Sequence, residues 1–267
     1  GTKVYLKVEI SPIRFDNYEE AQGVLAIVRD FTRMRRLENM RTDFVANVSH
    51  ELRTPLTSIK GFIETLLDGG IENREITKKF LTIMYQETDR LNRLISDLLD
   101  LSQMESRQTE LNRTKVFMAP LVEDVRQTLQ ERLAEKNISM SVELGPTPVW
   151  ADEDRIREVL FNLIDNAIKY STSGGSIKVR EINRGDMQEF MVCDTGIGIP
   201  KDSAARIFER FYRVDKARSR EIGGTGLGLS IVKHVIERHD GKVWVESEPG
   251  KGSCFHFTIS KYKADQE

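Results

Sequence analysis

Asn47-Val48-Ser49-His50-Glu51-Leu52-Arg53-Thr54-Pro55-Leu56 is the stretch whose reading decides the fold. Wound as a helix at about 100° per residue, it gathers Val45, Val48, Leu52, Leu56 and Ile59 within one arc, a face suited to packing on another helix. His50 lands nearly opposite the middle of that arc, with Glu51 about a quarter-turn round and Thr54 one turn along. A lone His is ordinarily a satisfied core residue. Here the core lies on the other side, so the pattern predicts a histidine presented to solvent beside a carboxylate.

Outward from this stretch the helical period continues. Met34, Leu37, Phe44, Val48, Leu52, Leu56, Ile59, Ile63 and Leu66 recur by threes and fours, with Arg41 interrupting the seam. A helix from Met34 to Leu67 makes a rod of roughly 50 Å, with Thr32 as its expected N-cap. Pro55 removes one backbone donor and is expected to bend the rod about a turn beyond His50. Arg33, Arg35, Arg36 and Arg41 read as a solvated coiled-coil face. Asp68-Gly69-Gly70 ends the helix, and a second is expected over 75–105, with Phe80, Leu81, Met84, Leu91, Leu94, Ile95, Leu98, Leu99 and Leu101 as its apolar stripe. Two such helices make half of a four-helix bundle. A symmetric homodimer completes it. Ahead of the rod, residues 3–10 alternate as a half-buried strand, a polar loop follows Ser11-Pro12, and Gly23 to Arg29 form a second strand. Two strands are too few to stand alone, so the chain is expected to be a cytoplasmic piece of something longer.

Composition narrows the class. Hydrophobic residues at 39% and charged residues at 31% describe a globular protein with much exposed helix. A net charge of −2 leaves no broad basic footprint, which excludes nucleic acid as a default partner. Cys193 and Cys254 lack metal-ligand spacing and read as separate small core residues in a reducing compartment. No run reaches the roughly 18 apolar residues of a membrane span.

After the polar break at 106–110 the composition changes. Helix 119–136, strand 138–144, a short strand at 149–150 and helix 152–170 are expected, the last opened by Asp152-Glu153-Asp154. Strands at 176–183 and 187–193 follow, then Gly-rich segments, helix 229–239, and strands 242–247 and 253–260. Helices and antiparallel strands in blocks indicate an α+β layered domain.

Three clusters there carry chemistry. Asn162, Asn166 and Lys169 share one face of helix 152–170, with Glu158 one turn earlier and Tyr170 beside them. Amide oxygens and a carboxylate are hard ligands suited to Mg²⁺, which usually arrives with phosphates; the same face could also be ordinary wet surface. Asp194-Thr195-Gly196-Ile197-Gly198 follows a strand: its carboxylate can accept a bond from an exocyclic amine, and its glycines let backbone approach a planar ring. Taken singly it is also compatible with a β-turn. Gly223-Gly224-Thr225-Gly226-Leu227-Gly228 enters a helix, offering free N–H groups to phosphate oxygens. No strand precedes this loop, so a Rossmann fingerprint does not fit. The charged run Arg213 to Glu221 reads as a lid, and the aromatics of Phe208-Glu209-Arg210-Phe211-Tyr212 as packing for its hinge.

In order and spacing these segments resemble a bacterial sensor histidine kinase of a two-component system, over about residues 30 to 260. His50–Leu56 matches the H box, Asn162–Tyr170 the N box, Asp194–Gly198 the G1 box, Phe208–Tyr212 the F box and Gly224–Gly228 the G2 box. The phosphate-responsive and cell-wall-responsive members are the most similar. Asp30-Phe31-Thr32 resembles the end of a PAS sensor domain. The resemblance implies PAS strands over 1–31, a dimerisation and histidine phosphotransfer domain over 32–108, a Bergerat (GHKL) ATP-binding sandwich over 109–262 and a tail over 263–267. It implies ATP and Mg²⁺ as cofactors, with Asn166, Asn162 and Glu158 at the metal. Lys169, Tyr170, Asp194, Gly196, Gly198, Gly224, Thr225, Gly226, Leu227 and Gly228 would bind the nucleotide. His50 would be the phosphoacceptor, Glu51 its proton acceptor, and Thr54 would align water for phosphatase action on the partner, a response regulator receiver domain. It also implies a membrane anchor on the full-length protein. The rivals are a GHKL ATPase driving a conformational clamp, which needs no displayed His, and a catalytically silent dimerisation module, which needs no N, G1 and G2 boxes.

Overall fold

The computed structural model describes residues 3–13, 23–105, 110–215 and 224–264. The polar loop expected before Gly23 and the break at 106–109 lie outside them, as does the expected lid from residue 216 and Gly223 at the head of the Gly-rich loop. So do the side chains of Arg36, Leu37, Arg41 and Leu101. The chain divides into two compact units, Gly1–Gly61 and Phe62–Glu267.

In the first unit, strands β1 (Leu6–Ile13) and β2 (Gly23–Asp30) pair antiparallel, Leu6 opposite Asp30. Both faces of this ribbon are open: Val8 and Val28, directly opposed on one face, are 53% and 58% exposed, and Ile27 on the other face is 38% exposed. Helix α1 (Thr32–Leu67) follows at once. Thr32 begins the helix but does not cap it as expected. Asp30 Oδ1 accepts the Thr32 N–H at 2.8 Å, while Thr32 Oγ1 accepts the Tyr5 N–H at 2.8 Å, tying the helix start to the ribbon. A carboxylate two residues upstream reaches the positive helix end and is favoured there. The helix runs on through Pro55.

In the second unit, α1 ends at Leu67 and Gly69 turns the chain with φ +103, a conformation that favours glycine. Helix α2 (Arg74–Glu105) is capped by Asn73, whose Oδ1 accepts the N–H groups of Glu75 and Ile76 at 3.1 and 3.2 Å. The Phe62 and Phe80 rings, 4.8 Å apart, pack the helices together at this end.

Next come β3 (Arg113–Val116), α3 (Met118–Thr128), α4 (Gln130–Glu135), β4 (Ser139–Glu143), β5 (Val149–Asp152) and α5 (Glu153–Tyr170). The single helix expected over 119–136 is divided at Leu129, whose ψ of 8° leaves the helical range. The chain continues through β6 (Ser176–Arg184), β7 (Met187–Asp194), α6 (Lys201–Ala204), α7 (Gly228–Arg238), β8 (Val243–Glu248) and β9 (Gly252–Ser260). The five-stranded sheet has the order β4-β6-β7-β9-β8. Its strands are antiparallel except β4, which runs parallel to β6. The chain between them passes through β5 and α5, the crossover that parallel pairing requires.

The core lies between this sheet and α5 and α7. α5 buries Ile156, Val159, Leu160, Leu163 and Ile164, and α7 buries Ile231, Val232 and Ile236. From the sheet come Ile177, Val192, Ile259 and the stacked pair Phe190 and Phe257, 5.3 Å between ring centres. A truncation such as Leu163→Ala in so closed a core costs about 2–5 kcal/mol. β7 and β9 pair with Cys193 opposite Cys254, and the two Sγ atoms are bonded. This corrects the reading of two separate core cysteines: strand register joins residues that lie 61 apart in sequence.

Candidate nucleotide site and histidine face

α5 supplies one wall of the site. Asp152 Oδ1 caps its first turn through the Arg155 N–H at 3.2 Å, and the acidic start suits the helix dipole. With its apolar stripe fixed in the core, the opposite stripe of Asn162, Asn166, Lys169 and Tyr170 stays half-buried. The Asn162 amide donates to Glu158 O at 3.0 Å, which fixes its rotamer. Glu158 itself pairs with Arg155 at 3.1 Å. Lys169 reaches Asp165 Oδ2 at 2.6 Å, and Arg132 binds the other oxygen of that carboxylate. Lys136 closes the helix end, donating to Ile168 O and Lys169 O at 2.8 Å and Ser171 O at 3.3 Å. Burial pushes its pKa down, and Asp165 opposes the shift.

Asp194, at the end of β7, is buried. Its Oδ1 accepts the N–H groups of Gly196 at 2.8 Å and Ser253 at 3.3 Å. Burial pushes its pKa up, against the lowering effect of these two donors. Among the described residues Oδ2 accepts no hydrogen bond, so an acceptor remains for an amine.

The glycines of the boxes serve a purpose that their sequence alone does not disclose. A Cβ on Gly196 would lie 2.4 Å from Tyr170 O, and one on Gly228 would lie 2.5 Å from Asn162 Oδ1. Gly198 takes φ +69 against the backbone of Glu248, and Gly226 takes φ +77 against that of Phe211. These contacts join the boxes: Ile197 N–H bonds Tyr170 O at 3.2 Å, and Phe211 N–H bonds Gly226 O at 2.8 Å. The Asn, Asp and Gly clusters, with the aromatic segment, thus form one continuous wall. Gly224, Thr225, Gly226 and Gly228 are half-buried, Leu227 is buried, and Thr225 Oγ1 donates to Asp97 Oδ2 on α2 at 2.6 Å.

In the first unit His50 and Thr54 are exposed and Glu51 is half-buried. Val48, Leu52 and Ile59 are half-buried, whereas Val45 and Leu56 stand 58% and 61% exposed. The Thr54 hydroxyl donates to His50 O at 3.1 Å, which fixes its rotamer one turn along from the histidine.

Sequence reasoning missed Lys136, Ser253, Asp165 and Asp97. Ser253 and Lys136 act through strand register and tertiary contact, which leave no local signal. Asp165, inside the asparagine cluster, could have been found from its i, i+4 spacing to Lys169.

The profile of the family described as "Histidine kinase-, DNA gyrase B-, and HSP90-like ATPase" matches residues 151–263, and that of "His Kinase A (phospho-acceptor) domain" matches residues 40–107. The sensor histidine kinase WalK of Bacillus subtilis (strain 168) is 39% identical over 271 residues, covering 98% of this chain and 43% of its own length. WalK of Staphylococcus aureus is 36% identical over 241 residues, covering 89% of this chain and 58% of its own. The chain therefore spans about half the length of these relatives. Among solved structures, the Acinetobacter baumannii histidine kinase AdeS aligns with a TM-score of 0.65 at 30% identity, over 80% of this chain and 98% of that one. Histidine kinase ThkA, in complex with response regulator protein TrrA, aligns with a TM-score of 0.69 at 26% identity, over 99% and 80%. The chain belongs to the sensor histidine kinases of two-component systems, of the PhoR/WalK type.

Proposed function

We propose that this chain binds ATP in the wall around Asp194 and transfers its γ-phosphoryl group to His50, then onward to an aspartate of a response regulator. The observation that carries this reading is the buried Asp194. A carboxylate held by Gly196 and Ser253, with Oδ2 still able to accept, suits an adenine amine, and the glycine contacts line the approach. His50 attacks phosphorus, the N–P bond forms as the bond to ADP breaks, and Glu51 takes the ring proton. The chemistry of the donors also fits Mg²⁺. Asn166 and Asn162 would hold it through amide oxygens, with Glu158 completing the shell once it leaves Arg155. Bound there, the metal supplies charge neutralisation for the phosphates. Tyr170, Lys169, Gly198 and the loop Gly224, Thr225, Gly226, Leu227 and Gly228 line the nucleotide and its phosphates.

A structural relative supports the partner: the ThkA structure is a complex with a response regulator protein. Thr54, exposed one turn from His50, supports an added phosphatase action in which it aligns water. Residues 32–108 then serve as the dimerisation and phosphotransfer domain, 109–262 as the ATP domain, and 1–31 as the closing strands of a PAS sensor domain. The open faces of the β1–β2 ribbon support this last reading. A homodimer and a membrane-anchored full-length protein complete it. The decisive experiment is labelling with γ-³²P-ATP: His50→Gln should abolish acid-labile label, and label retained at wild-type level would overturn the assignment. Steady ADP release without phosphohistidine would favour a clamp ATPase instead.

A further inference from the structure

On the sheet face opposite α5 and α7, Cys193 of β7 and Cys254 of β9 are direct cross-strand partners, with Cα atoms 3.9 Å apart and bonded sulfurs. Both are half-buried rather than enclosed, so a small thiol reagent can approach them. On its other flank Cys193 is paired in register with Lys178 of β6, and Cys254 with Glu246 of β8. The next rung of the same ladder is Asp194 opposite Ser253. Ser253 is the residue whose N–H holds Asp194 Oδ1, at 3.3 Å, while its hydroxyl meets Ser247 Oγ at 2.9 Å. Spacing between the strands is critical here: a Cβ on Gly252 would lie 1.9 Å from Asp194 O.

From this juxtaposition we infer that Cys193 and Cys254 are a reversible thiol–disulfide modification site that sets the nucleotide affinity of the adjoining Asp194. The co-reactant is a small-molecule disulfide. The Cys193 thiolate attacks one of its sulfurs, forming a mixed disulfide and releasing one thiol. The Cys254 thiolate then attacks Cys193 Sγ and displaces the second thiol. Two protein thiols are oxidised to one disulfide, and the reagent is reduced to two thiols, which take up the protons. The bond ties β7 to β9 one rung from Asp194 and holds the Ser253 donor in place. Free thiols at directly opposed positions cannot approach as closely as bonded sulfurs. Reduction therefore spreads this rung and loosens the Ser253–Asp194 bond.

The affinity half of the inference rests on the ATP reading above; the oxidation half does not. The test equilibrates the whole 267-residue chain with oxidised or reduced dithiothreitol. Thiols are then counted by maleimide labelling under denaturing conditions, and ADP affinity is measured by calorimetry. Oxidised protein should show no free thiol, remain uncrosslinked between chains, and bind ADP at least threefold more tightly than reduced protein. Cys254→Ala and, separately, Cys193→Ala should bind ADP with no dependence on the reagent. Two free thiols under oxidation, crosslinks between chains, equal affinities, or redox dependence surviving in the variants would each overturn the inference. If neither state binds ADP, the ATP reading and the coupling fall together, and the thiol count decides the oxidation site by itself.

Discussion

Asp194 shows how much one atom carries. Its Oδ1 is committed to Gly196 and Ser253, and its raised pKa reflects the cost of keeping a charge in a buried place. Asp194→Asn turns the remaining acceptor into a donor without changing shape. The ATP-free protein should then be at least as stable as wild type to urea at neutral pH, because a buried charge is gone, while ATP affinity falls tenfold or more. Unchanged affinity in calorimetry would remove the adenine role. His239 is a buried group of a different kind. Its Nδ1 meets Val235 O at 2.8 Å, and its Nε2 accepts the Asp152 N–H at 3.0 Å, so the neutral ring with hydrogen on Nδ1 satisfies both partners. Burial lowers its pKa, the backbone carbonyl opposing. The unfolded chain therefore takes up the proton first. Stability is complete above the ordinary value of about 6.5 and falls as pH drops below it. His239→Gln should flatten that acid limb in pH-dependent thermal melts; an unaltered limb would assign it to other groups.

At the scale of elements, periodicity fixed the long helices because a buried stripe must recur every three or four residues. α1 ends where Gly69 allows its positive φ, and α2 begins where Asn73 caps it. The helix carrying the asparagines is finished by a residue from elsewhere: Lys136, whose ammonium serves three carbonyls. Lys136→Met leaves them without that donor and should cost about 1–3 kcal/mol in denaturant unfolding. It should also weaken ATP binding, since Tyr170 sits at that end and its carbonyl holds Ile197. A loss of stability with ATP affinity intact would limit Lys136 to a structural part. No local pattern announces Lys136, because a helix end can be satisfied by any donor that the fold brings near.

For the whole molecule, α2 carries Leu81, Tyr85, Ile95 and Leu99 at 54%, 69%, 43% and 58% exposure, apolar surface left open in one chain. In the proposed homodimer this surface is covered. Leu81→Glu combined with Leu99→Glu should shift the protein to monomer in sedimentation velocity; a persistent dimer would place the interface elsewhere. The sequence by itself determined the order of the boxes, the two long helices and the strand-to-helix rhythm of the ATP unit. Each depends on residues within a few turns of one another, where spacing alone dictates which side chains share a face. Tertiary structure alone decided that β4 runs parallel to β6, that Gly228 meets Asn162, that Cys193 faces Cys254, and that Ser253 holds Asp194. Strand register is set by the packing of the whole core. A slip of one residue would turn every side chain of a strand to its other face, and no short window of sequence records which pairing wins.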